Sequence, residues 1–268
     1  MINTLPITSQ LIEQLVDLSR RAGAAIMAIY NDRDSYNIEH KSDESPLTAA
    51  DLAAHRIINA ELPGLLALPI ISEEGDIPPF PDRQLWESYW LVDPLDGTKE
   101  FIAGNGQFTV NIALVRNGCV LLGVVHVPAT DVTYLGILEA DEASSLGAFK
   151  YIQGSNRHAI AVRPLAERFS GQQPFTVILS HRHNTQATVD LMETITCNWP
   201  GAIEATNAGS SLKQAVLEAA GGRVVCAAPS LQALVYNTSE DMLNPSFYAL
   251  GDKSFDWGRL LATSGLTK

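Results

Sequence analysis

The chain has 268 residues, of which 46% are hydrophobic and 18% charged, and its 30 Asp and Glu against 18 Lys and Arg give a net charge of −12. This composition excludes a disordered chain, and the length accommodates one large domain or two lobes that share a core. The acidic balance argues against nucleic-acid binding, because nucleic-acid-binding proteins gain affinity by neutralising phosphates with Lys and Arg.

The sequence contains no recognisable targeting or membrane segment. Residues 1–10 lack the basic region and apolar stretch of a signal peptide, and no apolar run approaches the ~20 residues that span a bilayer. We therefore expect a soluble, cytoplasmic protein. Its three cysteines, Cys119, Cys197 and Cys226, have no paired spacing, and we expect them to be small buried hydrophobic residues in a reducing compartment.

The first half of the chain predicts two helices followed by a β-sheet. Apolar residues recur at helical spacing over 8–30, and a second helix begins at Thr48, with Pro63 and Gly64 expected to close it. The dipeptide Asn117–Gly118 between two β-rich segments is the strongest hairpin signal in the chain. The predicted strands are 68–71, 89–92, 108–115, 120–127 and 132–138.

Beyond Pro164 the pattern changes to alternating strands and helices, which predicts a smaller α/β lobe. We find no linker, so we expect two lobes, residues 1–163 and 164–268, packed tightly around a site between them. The predicted elements of the second lobe are the strands 176–179 and 223–226 and the helices 188–195 and 210–220.

The segment LVDPLDGTKEF places Asp93 and Asp96 at the end of a buried strand, with Pro94 stiffening the turn between them. Two carboxylates on a constrained turn can point at one place, and oxygen ligands of this kind suit Mg²⁺. Asp residues also commonly cap helices and tighten turns, so a structural role is the alternative. If strand 68–71 is a neighbour of strand 89–92, Glu73 reaches the same cluster.

Two further motifs carry candidate polar groups. In SPLTAAD, Asp51 has the spacing of a capping box with Thr48, but it could equally orient a water molecule with the hydroxyl of Thr98 as its partner. In NAGSSLK, Ser210 precedes a predicted helix and Lys213 lies one turn into it, as a second anion site would require. A Ser at this position is often only a cap.

These motifs together resemble the inositol monophosphatase superfamily of Mg²⁺-dependent, lithium-sensitive phosphatases. The continuation Lys99–Glu100–Phe101 and the stretch FTVNIAL resemble its CysQ branch of 3′(2′),5′-bisphosphate nucleotidases. The resemblance runs from the first helix to residues 245–247 and does not cover the tail at 252–268. It implies a layered α/β/α/β/α sandwich and a site that holds two or three Mg²⁺ ions.

The resemblance assigns site residues position by position. Asp51 and Thr98 match the pair that activates the attacking water, and the amides of Gly97 and Thr98 match those that receive the scissile phosphate. The implied metal ligands are Glu73, Asp93, Asp96 and the carbonyl of Leu95. The implied substrate contacts are Glu73, Leu95, Asp96, Gly97, Thr98, Ser210, Lys213 and His183, although a lone His in a loop is more often a surface residue.

The implied reaction is hydrolysis of adenosine 3′,5′-bisphosphate to AMP and phosphate, which clears a by-product of sulfate assimilation. A phosphatase of inositol or sugar phosphates is the closest alternative, and a non-catalytic nucleotide-binding relative is another. The implied partner is a small nucleotide bisphosphate. The resemblance leaves open peripheral association with the inner membrane, and the sequence does not choose between a monomer and a dimer.

The resemblance breaks after Lys213. Relatives continue through a strand, a Pro-Arg loop and a Trp-Asp helix start, but here Gln214 follows directly. The missing stretch would contain the Asp that completes the metal site and an Arg at the nucleotide. Either the segment is deleted or the sequence joins across a gap. We favour the gap, because a deletion would expose much of the core. A gap predicts that the Cα atoms of Lys213 and Gln214 lie farther apart than the 3.8 Å of a trans peptide.

Overall fold

Two long helices cover one face of a seven-stranded sheet in the first 165 residues. The computed structural model describes residues 5–32, 39–40, 46–165, 174–180, 186–199, 201–208, 214–227 and 231–261. Its helices are α1 Ser9–Tyr30, α2 Ala49–Leu65, α3 Phe80–Arg83, α4 Thr98–Ala103, α5 Gln186–Asn198, α6 Gln214–Ala219 and α7 Trp257–Leu261. Its strands are β1 Glu39–His40, β2 Pro46–Leu47, β3 Ile70–Ser72, β4 Ser88–Asp96, β5 Thr109–Arg116, β6 Cys119–Val127, β7 Val132–Ile137, β8 Gly147–Ile152, β9 His158–Ile160, β10 Phe175–Ser180, β11 Ile203–Ala208, β12 Arg223–Cys226 and β13 Phe247–Leu250.

Both predicted N-terminal helices form. The side chain of Thr8 caps α1 by accepting a hydrogen bond from the amide of Leu11. The prediction that Pro63 and Gly64 close α2 is wrong, because the helix runs through both. Pro63 removes only one hydrogen bond there. Leu62 is fully buried, and its carbonyl accepts from the amide of Leu66 to close the last turn.

The large sheet follows the order β3-β4-β5-β6-β7-β8-β9. Strand β3 is parallel to β4, and every later neighbour is antiparallel. The condition for Glu73 to reach Asp93 and Asp96, that these first two strands are neighbours, is therefore met, and the predicted hairpin of β5 and β6 is confirmed. Strands β8 and β9, which complete the sheet, were not predicted from the sequence.

A one-residue bulge interrupts β4 next to β5. Asp93 is opposite Asn111 and Asp96 is opposite Thr109, so β4 takes three residues where β5 takes two. In a regular strand, residues three apart lie on opposite faces; the extra residue restores Asp96 to the face of Asp93. The strand thus continues to Asp96, instead of ending before Asp93 as the sequence suggested, and Pro94 lies within the bulge, where a missing amide proton is tolerated.

The two faces of the large sheet bury different clusters. One face packs against α1 and α2 through side chains such as Trp90, Val92 and Ile112. The other face packs against α6 and β12, and Tyr89, Leu91, Ala113 and Val115 belong to it. Helix α6 approaches closely enough that a Cβ atom on Gly136 would overlap the backbone of Ala215. This position therefore requires glycine.

The C-terminal part contains two separate two-stranded sheets. Strands β10 and β11 are parallel, and β12 and β13 are antiparallel. A third cluster links them with α5 and α7, and it includes Phe175, Trp199, Val225 and Leu250. The tail that the resemblance did not cover contributes Trp257 and Leu260 to this cluster. The predicted strands and α5 are confirmed; β11, β13 and α7 were not predicted.

The cysteines depart from the expectation of burial. Cys119 and Cys197 are exposed, and only Cys226 is partly buried. Cys119 begins β6 directly after the hairpin turn, and Cys197 lies in the last turn of α5, so both occupy element ends. Across the described residues, no helix combines the length and the apolar character needed to cross a membrane.

Candidate active site

The acidic residues at the carboxyl ends of β3 and β4 meet at one end of the large sheet: Glu73 directly follows β3, and Asp93 and Asp96 lie in the last part of β4. The amide of Glu73 donates to the carbonyl of Val92 over 3.1 Å, which extends the parallel ladder one residue past Ser72. Because the carboxyl ends of parallel strands meet at the same edge, Glu73 lies beside Asp93. The structure therefore brings these two predicted residues together.

The acidic cluster of Glu73, Glu74, Asp93 and Asp96 concentrates negative charge around Asp93. Burial raises the pKa of Asp93 well above its usual range, and the charges of Asp96, Glu73 and Glu74 and a hydrogen bond with Glu73 raise it further. Among the described residues, the buried Oδ1 atom of Asp93 has no hydrogen-bond partner. A buried acceptor without a partner is costly, so this atom is suited to bind a cation or a hydrogen-bond donor.

The chemistry of this cluster fits a divalent cation. Carboxylate oxygens are hard ligands of the kind that Mg²⁺ prefers, and a cation would satisfy Asp93 Oδ1 and offset the repulsion among the acids. Within the part of the chain that the structure describes, no three His, Cys, Asp or Glu side chains form a group that could hold a metal ion as they stand. The metal-ligand roles of Glu73, Asp93, Leu95 and Asp96 therefore stay predictions.

Asp51 forms the capping box with Thr48 and also contacts Thr98, while the role of this pair in orienting a water molecule stays a prediction. Its Oδ2 atom accepts from the amide of Thr48 over 2.8 Å and from the Thr48 hydroxyl over 2.5 Å, which forms a capping box at the start of α2. Its Oδ1 atom accepts from the hydroxyl of Thr98 over 3.2 Å. The side chain of Asp51 is fully buried, and burial raises its pKa although the hydrogen bonds from both threonines oppose the shift.

Gly97 connects the bulged strand β4 to α4. Its φ of +94° lies in the left-handed region, and a Cβ atom there would lie 2.9 Å from the carbonyl oxygen of Gln107. Only glycine fits this turn. The turn places Thr98 at the first position of α4, where its hydroxyl lies within 3.4 Å of the carbonyl of Leu95 as well as reaching Asp51.

Two pairs of polar residues next to the cluster were not predicted. Thr109 donates to Asn111 Oδ1 over 3.2 Å, and Asn111 Nδ2 donates to Asp96 Oδ2 over 3.4 Å. His55 Nδ1 lies 2.9 Å from the hydroxyl of Ser72, directly before Glu73. The sequence contained a signal for Asn111. In TVNIALV, residues 109–115, one face of the strand is entirely apolar, while the other face begins with Thr109 and Asn111.

Three predicted substrate contacts lie outside the described residues, namely His183, Ser210 and Lys213. The separation between Lys213 and Gln214 therefore does not decide between a gap and a deletion. Gln214 itself is described, and it begins α6. The roles assigned to all three residues stay predictions.

Comparison with protein families matches residues 8–211 to the inositol monophosphatase family. The match ends close to Lys213, where the resemblance breaks. The 3′(2′),5′-bisphosphate nucleotidase CysQ of Salmonella typhimurium is 36% identical over 265 aligned positions, which cover 88% of this chain and 98% of that protein. Because 88% of this chain is about 236 residues, about 30 aligned positions have no counterpart in it.

Solved structures give the same relationship. CysQ from Bacteroides thetaiotaomicron, described as a bacterial member of the inositol monophosphatase family, superposes with a TM-score of 0.71 and 31% identity. The superposition covers 89% of this chain and 96% of that one. A lithium-soaked inhibitory complex of staphylococcal inositol monophosphatase-1 has a TM-score of 0.66 at 14% identity and covers 98% of both chains, which supports the fold alone.

Proposed function

The chain belongs to the inositol monophosphatase family, and we propose that it is a phosphatase that hydrolyses adenosine 3′,5′-bisphosphate to AMP and inorganic phosphate. Relatives that are 36% identical over most of this chain carry the name 3′(2′),5′-bisphosphate nucleotidase. The reaction breaks the bond between phosphorus and the 3′ oxygen, and water supplies the oxygen that the phosphate gains.

One geometric observation supports this proposal most strongly. The hydrogen bond from Thr98 to Asp51, which fits a water-activating pair, lies directly after the acidic residues of β4 that fit a metal site. Thr98 lies two residues after Asp96, and its hydroxyl also approaches the carbonyl of Leu95. A nucleophile held by this pair would therefore start next to the predicted cation ligands.

Asp51 and Thr98 can orient a water molecule without a histidine. The Thr98 hydroxyl has a single proton, and in the hydrogen bond to Asp51 that proton is committed to the carboxylate. The lone pairs of the Thr98 oxygen then face away from Asp51 and can accept a proton from water. As the water attacks, its proton can pass to Thr98 while the Thr98 proton passes to Asp51, so the carboxylate acts as the general base.

We propose that Glu73, Asp93, Asp96 and the Leu95 carbonyl hold Mg²⁺. When bound, the cations would neutralise the phosphate and the leaving oxygen and lower the pKa of the attacking water. The backbone amides of Gly97 and Thr98 would bind the phosphate oxygens, and Ser210, Lys213 and His183 would contact the rest of the nucleotide.

Several properties follow from the family resemblance alone and stay proposals. These are two or three Mg²⁺ ions, inhibition by lithium and a role in sulfur assimilation. The cytoplasmic location, with or without peripheral membrane contact, and the oligomeric state also stay predictions.

A real deletion after Lys213 would favour a second candidate function. The family match ends at residue 211, and the missing stretch would carry the Asp that completes the metal site. A protein that has lost this residue would bind the nucleotide without turnover. Calorimetry with adenosine 3′,5′-bisphosphate at saturating Mg²⁺ separates the two functions, because only the binder gives a stable binding isotherm with no phosphate release.

A substrate panel tests the proposed function. Purified protein is incubated with Mg²⁺ and either adenosine 3′,5′-bisphosphate or inositol 1-phosphate, and phosphate release and nucleotide products are measured. We expect faster release from the nucleotide, with AMP as the product and no release after Mg²⁺ is chelated. Faster hydrolysis of inositol 1-phosphate would support the inositol phosphatase alternative and contradict the proposal.

A further inference from the structure

Asn111 is the amide side chain next to the two acidic residues of the bulge. On β5, residues 109, 111, 113 and 115 share one face, and Ala113 and Val115 belong to the apolar cluster under α6. At the end of this face nearest the acids, the apolar residues give way to Thr109 and Asn111. Both are buried, with 8% and 1% of their surface exposed.

The register puts Asn111 between Asp93 and Asp96. Its Cα atom is the cross-strand partner of Asp93, and directly opposed side chains on one face are close neighbours. Its Nδ2 atom donates to Asp96 Oδ2 over 3.4 Å. Asn111 therefore lies beside one acid and bonds the other.

Thr109 fixes the orientation of the Asn111 amide. The Thr109 hydroxyl donates to Asn111 Oδ1 over 3.2 Å, which leaves the amide nitrogen to face Asp96. An amide at this position donates a hydrogen bond to a carboxylate without adding charge. That matters here because the neighbouring acids already raise the pKa of Asp93.

We propose that Asn111 is a positioning residue that, oriented by Thr109, holds the Asp96 carboxylate in place for cation binding beside Asp93. This inference rests on the proposed metal-dependent function. Residues that orient metal ligands typically contribute 10- to 100-fold to metal affinity or activity. Asn111 acts through Asp96 and contacts no reacting atom.

The variant Asn111→Leu tests this role. Leucine has nearly the same size and extends the apolar pattern of Ala113 and Val115, so a purely structural role predicts that Mg²⁺ binding is unchanged. We expect Mg²⁺ affinity, measured by isothermal titration calorimetry, to weaken about 10- to 100-fold. The melting temperature without Mg²⁺ should change little, and the Mg²⁺ concentration for half-maximal activity should rise more than kcat falls.

Thr109→Val gives a second, milder test with a matched control. It removes the hydroxyl that orients Asn111, and we expect a smaller loss of Mg²⁺ affinity in the same direction. Thr133→Val is the control, because Thr133 is a buried threonine of the same sheet that contacts His126 instead of the acids. Its Mg²⁺ affinity should stay within about twofold of wild type.

The outcomes separate this inference from the proposed function. Wild-type Mg²⁺ affinity in folded Asn111→Leu overturns the positioning role alone. If that variant does not fold, equal Mg²⁺ affinities of Thr109→Val and Thr133→Val overturn it. A wild-type protein that binds no Mg²⁺ overturns the proposed function and this inference with it.

Discussion

The hydroxyl of Thr98 donates to Oδ1 of Asp51 across 3.2 Å, while Oδ2 of the same carboxylate caps α2. One side chain thus links the start of α2 to the start of α4. We expect Asp51→Asn and Thr98→Val to lower kcat by about 10²- to 10⁴-fold, because each removes the proton path from water to carboxylate. Steady-state phosphate release measures this loss.

The control for these variants is Thr48→Val, which removes the capping hydroxyl from Asp51 Oδ2 but leaves Thr98 in place. We expect it to reduce the free energy of unfolding by about 1 kcal/mol while the folded enzyme keeps most of its kcat. An equal loss of kcat in Thr48→Val and Thr98→Val would mean that Asp51 acts only by capping the helix.

The pH dependence of activity should report the ionisation of Asp51. Burial raises the pKa of this carboxyl, and its protonated form no longer accepts the Thr98 proton. The usual pKa of an Asp side chain is 3.8, and that of Asp51 is higher. Activity should therefore fall as the pH decreases through this raised pKa. We expect this acid limb in the profile of kcat/KM. An unchanged acid limb in the residual activity of Asp51→Asn would assign the titration to another group.

Stability should also fall in mild acid because of His126. Burial lowers its pKa to about 4 from 6.5, and it contacts Thr133 in the interior. Between these values the unfolded chain binds a proton that the folded protein does not, so stability is lost as the pH decreases. We expect about 2 kcal/mol of loss from this group between pH 7 and about pH 5. Urea unfolding of wild type and His126→Gln at several pH values checks this loss. If the free energy of unfolding changed equally with pH in both proteins, His126 would not be its source.

Close packing of α6 against the sheet can be tested at one glycine. A Cβ atom at Gly136 would overlap the backbone of Ala215, so we expect Gly136→Ala to destabilise the protein by about 1–3 kcal/mol. Gly64→Ala is the control, because Gly64 lies in α2 and a Cβ atom added there would have no neighbour within 4 Å. That variant should gain about 0.5–1 kcal/mol. Denaturant unfolding measures both changes. If the free energy of unfolding changed in the same direction in Gly136→Ala and Gly64→Ala, this packing would be contradicted.

The sequence predicted those parts of the site that local patterns encode. Apolar runs ending in carboxylates predicted β3 and β4, and the Asn–Gly turn located the hairpin; that β3 and β4 are neighbours was only a condition at that point. The bulge was not predicted, because it depends on how β4 pairs with β5, which no local pattern states. For the same reason, the cross-strand contact of Asn111 with the acids appears only once the register is known.

Other differences arise where tertiary packing overrides a local signal. Pro63 does not end α2, because the burial of Leu62 and the carbonyl bond to Leu66 stabilise the last turn. The short strands β8 and β9 carry weak apolar patterns and form by pairing with β7. Cys119 and Cys197 are exposed because they lie at the ends of elements, which the spacing of cysteines does not reveal.

The most direct test of the central claim is Mg²⁺-dependent phosphate release from adenosine 3′,5′-bisphosphate by wild type, Asp93→Asn and Asp96→Asn. Asp76→Asn removes the same charge from a nearby exposed position and serves as the control. We expect wild type and Asp76→Asn to be active only with Mg²⁺, and both variants of the cluster to lose nearly all activity. Wild-type-like release from Asp93→Asn or Asp96→Asn would contradict the assignment of these carboxylates to the metal site.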